Sequence, residues 1–211
     1  MHMSKLARLA LAGLLGILAC GPAAASVVID LVQTGFSAQN DGFGDGQPPT
    51  FSARLVVEQD DFARGSTPAV FNQPARGPFS SSLDGLLDLE VSIRDPSGGA
   101  LLVTPLSRFL TPLPPLAPIG LERSFSLALS QSAIFGSIRY NDQESDYRVS
   151  LVADGTFTAT FNTDRGGICG RTGNCSFSGS VVVSVPEPSG LAAIAFGTLV
   201  LAAAYRRRDT G

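Results

Sequence analysis

The segment LLDLEVSIR fixes more about the fold than any bulk property of the chain. Leu87, Leu89, Val91 and Ile93 alternate with Asp88, Glu90, Ser92 and Arg94. A period of two sends successive side chains to opposite faces of an extended backbone, so one face can be buried while the other meets water. SFSLALS repeats the device, with Phe125, Leu127 and Leu129 directed inward. RVSLVADGTFTATF reads as a hairpin: Val149 and Leu151 lead into an Asp154-Gly155 turn, and Phe157, Ala159 and Phe161 follow it. Further strands are expected over Val27–Val32, Ser52–Gln59, Leu101–Thr104, Ile134–Tyr140 and Phe177–Val185, with another turn at Asp95-Pro96-Ser97-Gly98. Ala63–Phe79 and Leu110–Pro118, both proline-bearing, read as long loops. No amphipathic helix of useful length is expected between them. Eight or nine short strands with one polar face imply an all-β, antiparallel two-sheet sandwich of jelly-roll or immunoglobulin-like type.

Charge is distributed unevenly over the 211 residues. Lys5 is the only lysine and His2 the only histidine; Lys5, Arg8 and Arg206–Arg208 all lie near the termini. Between Ser26 and Val185 stand 10 arginines against 16 acidic residues, a net of about −6. A negative domain with no lysine and no basic stripe argues against nucleic-acid binding. Without histidine or lysine it also lacks the bases of Ser-His-Asp, Cys-His, Ser-Lys and Schiff-base chemistry.

The two ends follow other rules. Lys5 and Arg8 precede an apolar run, Leu9–Ala19, and then small residues Ala23, Ala24 and Ala25 before Ser26. This is the pattern of a secretory signal peptide cut after Ala25, which implies export machinery of the Sec type and signal peptidase as partners. A lipoprotein signal is the second reading, since Ile17-Leu18-Ala19-Cys20 loosely matches a lipobox. At the other end, Ser189–Tyr205 carries no charge and no polar face, and Arg206, Arg207 and Arg208 follow it. A helix of that length spans about 25 Å, enough with snorkelling arginines to cross a bilayer as a single transmembrane helix. Positive charge is retained on the cytoplasmic side, so everything upstream lies across the membrane. Pro186 and Pro188 flank Glu187 and hold the backbone extended just outside it.

Val185-Pro186-Glu187-Pro188, an apolar span and an arginine cluster, in that order at the C-terminus, resemble the PEP-CTERM sorting signal of Gram-negative bacteria. The resemblance covers Val185–Arg208. It implies recognition and cleavage near Pro186-Glu187-Pro188 by an exosortase, a membrane-embedded cysteine transpeptidase-like enzyme, in a system associated with exopolysaccharide and biofilm matrix. The resulting organisation is a signal peptide over 1–25, an exported β-sandwich over 26–184 and a sorting segment over 185–208. The tail is then a temporary anchor, as in other signals whose hydrophobic end is discarded.

Cys169 and Cys175, close in sequence and exported, are expected to form a disulfide. Two thiolates without histidine or a second cysteine pair fall short of a zinc set. Asp41 and Asp45 in NDGFGDG, and Asp142, Glu144 and Asp146 in NDQESD, offer hard oxygens of the kind calcium takes. Ordinary turns are the first reading of both segments, ahead of calcium, and no cofactor is assigned. Glu58, Glu90, Glu122 and Glu144 are the carboxylates a glycosidase would draw on, and nothing in the sequence pairs them. The expectation is an exported, non-enzymatic surface or matrix protein, transiently anchored with its C-terminus in the cytoplasm. A carbohydrate-binding module is the alternative, and a carboxylate-dependent glycosidase comes third.

Overall fold

The computed structural model describes residues 25–38, 48–65, 68–74, 79–113, 118, 120–142, 144–163, 169 and 174–185. The strands are β1 (Ser26–Ala38), β2 (Thr50–Glu58), β3 (Ala69–Pro74), β4 (Ser80–Ser82), β5 (Leu86–Arg94), β6 (Ala100–Pro105), β7 (Glu122–Leu129), β8 (Ile134–Asn141), β9 (Ser145–Val152), β10 (Thr156–Thr163) and β11 (Asn174–Ser184). Two single-turn helices interrupt them, α1 (Gln59–Arg64) after β2 and α2 (Leu106–Leu110) after β6. All eleven strands join one antiparallel sheet in the order β4-β3-β7-β8-β9-β10-β11-β1-β2-β5-β6.

That sheet is strongly curled, and its core lies inside the curl. Phe51 of β2 and Phe157 of β10 stand three strands apart, about 14 Å in a flat sheet, yet their ring centroids are 5.4 Å apart. Phe177 of β11 stacks on Phe51 at 5.5 Å. Helix α2 carries the β6 edge over the far arm: buried Phe109 meets Phe71 of β3, Phe125 of β7 and Tyr140 of β8 at 6.4, 5.7 and 5.8 Å. Arg108 and Arg123 lie over the Tyr140 ring, each 5.6 Å from its centroid. Inward residues of every long strand complete the core, among them Ile29, Leu55, Leu89, Ile93, Leu127 and Ile138.

The expected strands are all present, and the hairpin turns at Asp154-Gly155, where Gly155 takes φ 82°. Three details depart from the pattern, one of them Ser92, which the alternation of β5 places outside and which is buried. The segment 63–79 is not one loop, because it contains β3, whose Phe71 is fully buried. In β5 a register shift opposite Val56/Val57 turns Leu86 inward and leaves Leu87 exposed, although alternation alone places Leu87 inside. No helix among the described residues is long and apolar enough to cross a membrane; Ser189–Tyr205, where that helix is expected, lies outside them.

Candidate functional site

The two ends of the sheet differ in chemistry. At one end the chain enters and leaves side by side: Val28 pairs with Ser184, so Ser26 at the start of β1 and Val185 after β11 emerge together. Ser26 already pairs with Glu58, which makes Ala25–Ser26 the boundary of the sheet. A single described backbone bond crosses it, from the Gln59 N–H to the Ala25 carbonyl at 2.9 Å. An open apolar mouth of about 560 Å³ lies here, lined by Val27, Phe62, Val181, Val183 and Val185, with Val185 half exposed. Ala23, Pro186, Glu187, Pro188 and Arg206–Arg208 lie outside the described residues.

The outer face is built by register. Ser126, Ser137, Ser150, Thr158 and Ser178 fall opposite one another on β7 through β11, giving an exposed hydroxyl row across five strands. The next row toward the far end reads Arg139, Arg148, Thr160, Ser176 and Ser37, and beyond it come Asn141, Asp146, Asn162 and Asn174. Over β9, β10, β11 and β1 these rows form a groove of about 470 Å³. Two features of it stand out. Asp146 holds its Oδ1 shielded from water, with no hydrogen-bond partner among the described residues. Arg148, exposed beside it, makes no hydrogen bond or ion pair among the described residues. Arg139 opposite is neutralised by an ion pair with Glu122.

A larger groove of about 720 Å³ on β1, β2 and β5 carries Asp30, Arg54 and Glu90, and its one guanidinium is paired with Asp30. Arg54 Nε donates to Asp30 at 2.8 Å, and that hydrogen bond holds the guanidinium pKa above its ordinary value. Such exposed pairs add little to stability.

The carboxylates singled out from sequence do not converge. Asp142 Oδ1 caps the turn by accepting from the Ser145 N–H at 2.9 Å, and its Oδ2 accepts from the Tyr140 hydroxyl at 3.2 Å and meets Arg108 at 3.5 Å. Glu144 sits in the turn, where its carbonyl accepts from Thr163. Asp146 belongs to the outer face. Among the described residues no three histidine, cysteine or acidic side chains are placed to hold a metal; Asp41 and Asp45 lie outside them. The four glutamates are dispersed over β2, β5, β7 and the β8–β9 turn.

Cys169 and Cys175 are disulfide-bonded, with their Cα atoms 5.1 Å apart. Both are buried, and Cys175 lies on β11 between Asn174 and Ser176, so the bond ties the chain behind the Asp146–Arg148 groove. Inside the curl, Tyr140 and Tyr147 stack at 5.5 Å. Burial pushes the Tyr147 phenol well above its ordinary value, and burial followed by the Asp142 carboxylate raises Tyr140. The Tyr147 and Thr104 hydroxyls face one another from β9 and β6, strands six positions apart in the sheet order. Neither has a partner of hydrogen-bonding geometry among the described residues.

No protein family, curated protein or solved structure matches the chain.

Proposed function

We propose that this protein is an exported, non-enzymatic component of the cell surface or extracellular matrix, sorted through a PEP-CTERM-type tail and released by an exosortase-like enzyme. One observation carries the reading: Val185-Pro186-Glu187-Pro188, an uncharged span and Arg206–Arg208 follow one another in that order. The signal-peptide pattern ending at Ala25 supports it independently, because it exports the same segment. The position of the chain ends supports it too. Ser26 and Val185 leave the sheet together, so removal of both flanking segments costs none of the described strands. In the anchored form the apolar mouth and α1 face the membrane, and the disulfide end points away from it. The two arms of the curled sheet serve as the layers of a jelly-roll- or immunoglobulin-like sandwich. Exopolysaccharide is the partner this reading implies.

Membrane fractionation of the native cells tests it. Wild type is expected mainly outside the membrane fraction, with the Pro186→Ala/Pro188→Ala variant retained there. Equal release of both, or equal retention of both, contradicts the proposal.

A further inference from the structure

We propose that the outer-face groove over β9, β10, β11 and β1 binds an uncharged saccharide chain, with Asp146 and Arg148 as its polar anchors. This deepens the sorting reading by giving its polysaccharide partner a site and a charge class; it rests on that reading only for the partner's presence, and binding stands whether or not the tail is removed.

Donor and acceptor matching selects the ligand. Asp146 and Arg148 are two residues apart on the same face of β9, about 6.8 Å along the strand. Asp146 lines the groove, and among the described residues its carboxylate makes no hydrogen bond or ion pair. An ionised carboxylate accepts only, and a guanidinium donates only. Around them, Thr160, Asn162 and Ser176 carry groups that both give and take. Satisfying the whole groove therefore requires a ligand that donates and accepts along its length.

Charge narrows the class. The Arg139 charge is met by Glu122, so within the groove Arg148 is balanced by Asp146 alone. An anionic ligand meets Asp146, and a cationic one meets Arg148; neutral hydroxyl groups satisfy both. A peptide also donates and accepts, but extended peptides add to sheet edges, where backbone groups are unpaired. This groove lies on a face, over strands whose ladders are already complete on both sides. The row Ser150, Thr158 and Ser178 continues the polar floor beyond the groove, which suits a chain rather than a single sugar. The groove sits at the end of the sheet opposite Ser26 and Val185, away from both attached segments.

The test is affinity electrophoresis of the full chain, in a polyoxyethylene detergent that carries no sugar, through gels cast with dextran, soluble starch, hydroxyethylcellulose or galactomannan. Alginate serves as the anionic comparison and polyglutamine peptide as the peptide comparison. Retardation by at least one neutral polysaccharide is expected. Asp146→Asn and Arg148→Ala should each weaken it about tenfold or more, as expected on losing a hydrogen bond to a charged group. Ser126→Ala, on the same face at β7, should bind as wild type. No retardation in any neutral gel, retardation by alginate or peptide alone, or wild-type binding by both anchor variants overturns the proposal. Should Asp146→Asn fail to fold by circular dichroism, Arg148→Ala decides, because that side chain is exposed.

Discussion

Truncating Phe51 tests the curl where β2 meets β10. Phe51 is only 3% exposed and touches two rings that a flat sheet would hold out of reach, Phe157 at 5.4 Å and Phe177 at 5.5 Å. Phe51→Ala removes a buried ring whose cavity cannot close from one side, at a cost of about 3–5 kcal/mol. That is a large share of a typical domain stability of about 5–15 kcal/mol. Much of this cost would arise in any core, so the specific signature is the coupling with Phe157. A double-mutant cycle of Phe51→Ala and Phe157→Ala should return about 0.5–1.5 kcal/mol, the worth of a direct aromatic contact. Urea unfolding of the full chain followed by circular dichroism supplies the four stabilities. Phe79→Ala, at a ring 58% exposed, is the control, with an expected loss of about 1 kcal/mol or less. Coupling indistinguishable from zero, or equal costs at Phe51 and Phe79, would refute the inference that β2 closes onto β10.

Other consequences are open to direct measurement. Asp154 accepts from the Thr156 hydroxyl at 2.6 Å and the Thr156 N–H at 2.9 Å, which holds its pKa below the ordinary 3.8. A depressed folded-state pKa stabilises above the unfolded value and is lost as pH falls through the folded one. Asp154→Asn should therefore lower the thermal midpoint at neutral pH, and its gap from wild type should narrow below about pH 3.8; a gap constant with pH would contradict this. Cys169→Ser/Cys175→Ser should cost about 2 kcal/mol by the loop-entropy argument, and reductant should shift the wild-type midpoint by the same amount. Replacing the facing hydroxyls together, Tyr147→Phe with Thr104→Val, should leave stability unchanged or raised by up to about 1 kcal/mol, since two buried groups without partners are removed at nearly constant shape. A marked loss would show that the pair is hydrogen-bonded after all.

Local structure was legible in the sequence wherever one strand carried the whole signal. The alternation in β7, β9 and β10 placed Phe125, Val149 and Phe157 inside correctly because a period of two needs no knowledge of partners. It misplaced Leu87 because the inward residue of β5 depends on a register shift against β2. β3 was invisible for a related reason. It is six residues bounded by Pro68 and Pro74, and its strandhood comes from pairing with β7, far along the chain. The curl is likewise a property of long-range order, with β1 beside β11 and β2 beside β5.

The same distinction applies to sites. Asp142, Glu144 and Asp146 look like one acidic cluster in sequence, yet β9 begins at Ser145 and sends Asp146 to the outer face while Asp142 caps the turn. Asp146 stands out in the sequence only as an acidic residue; the groove it shares with Arg148 is not readable there because its other walls come from β10, β11 and β1. One signal could have found it: small polar side chains at every second position in TFTATFNT and SFSGS mark strands whose exposed faces are polar in the same way. The proposed sorting tail is the reverse case, since Val185–Pro188, the uncharged stretch and Arg206–Arg208 are contiguous in the sequence.

Intact mass of the mature protein from its native cells tests the sorting account most directly. The account predicts a species that begins at Ser26 and ends near Pro188, with the apolar span gone. A mass that retains Arg206–Gly211 would make the tail a permanent anchor and contradict release by an exosortase, and a lipid adduct on Cys20 would contradict cleavage at Ala25.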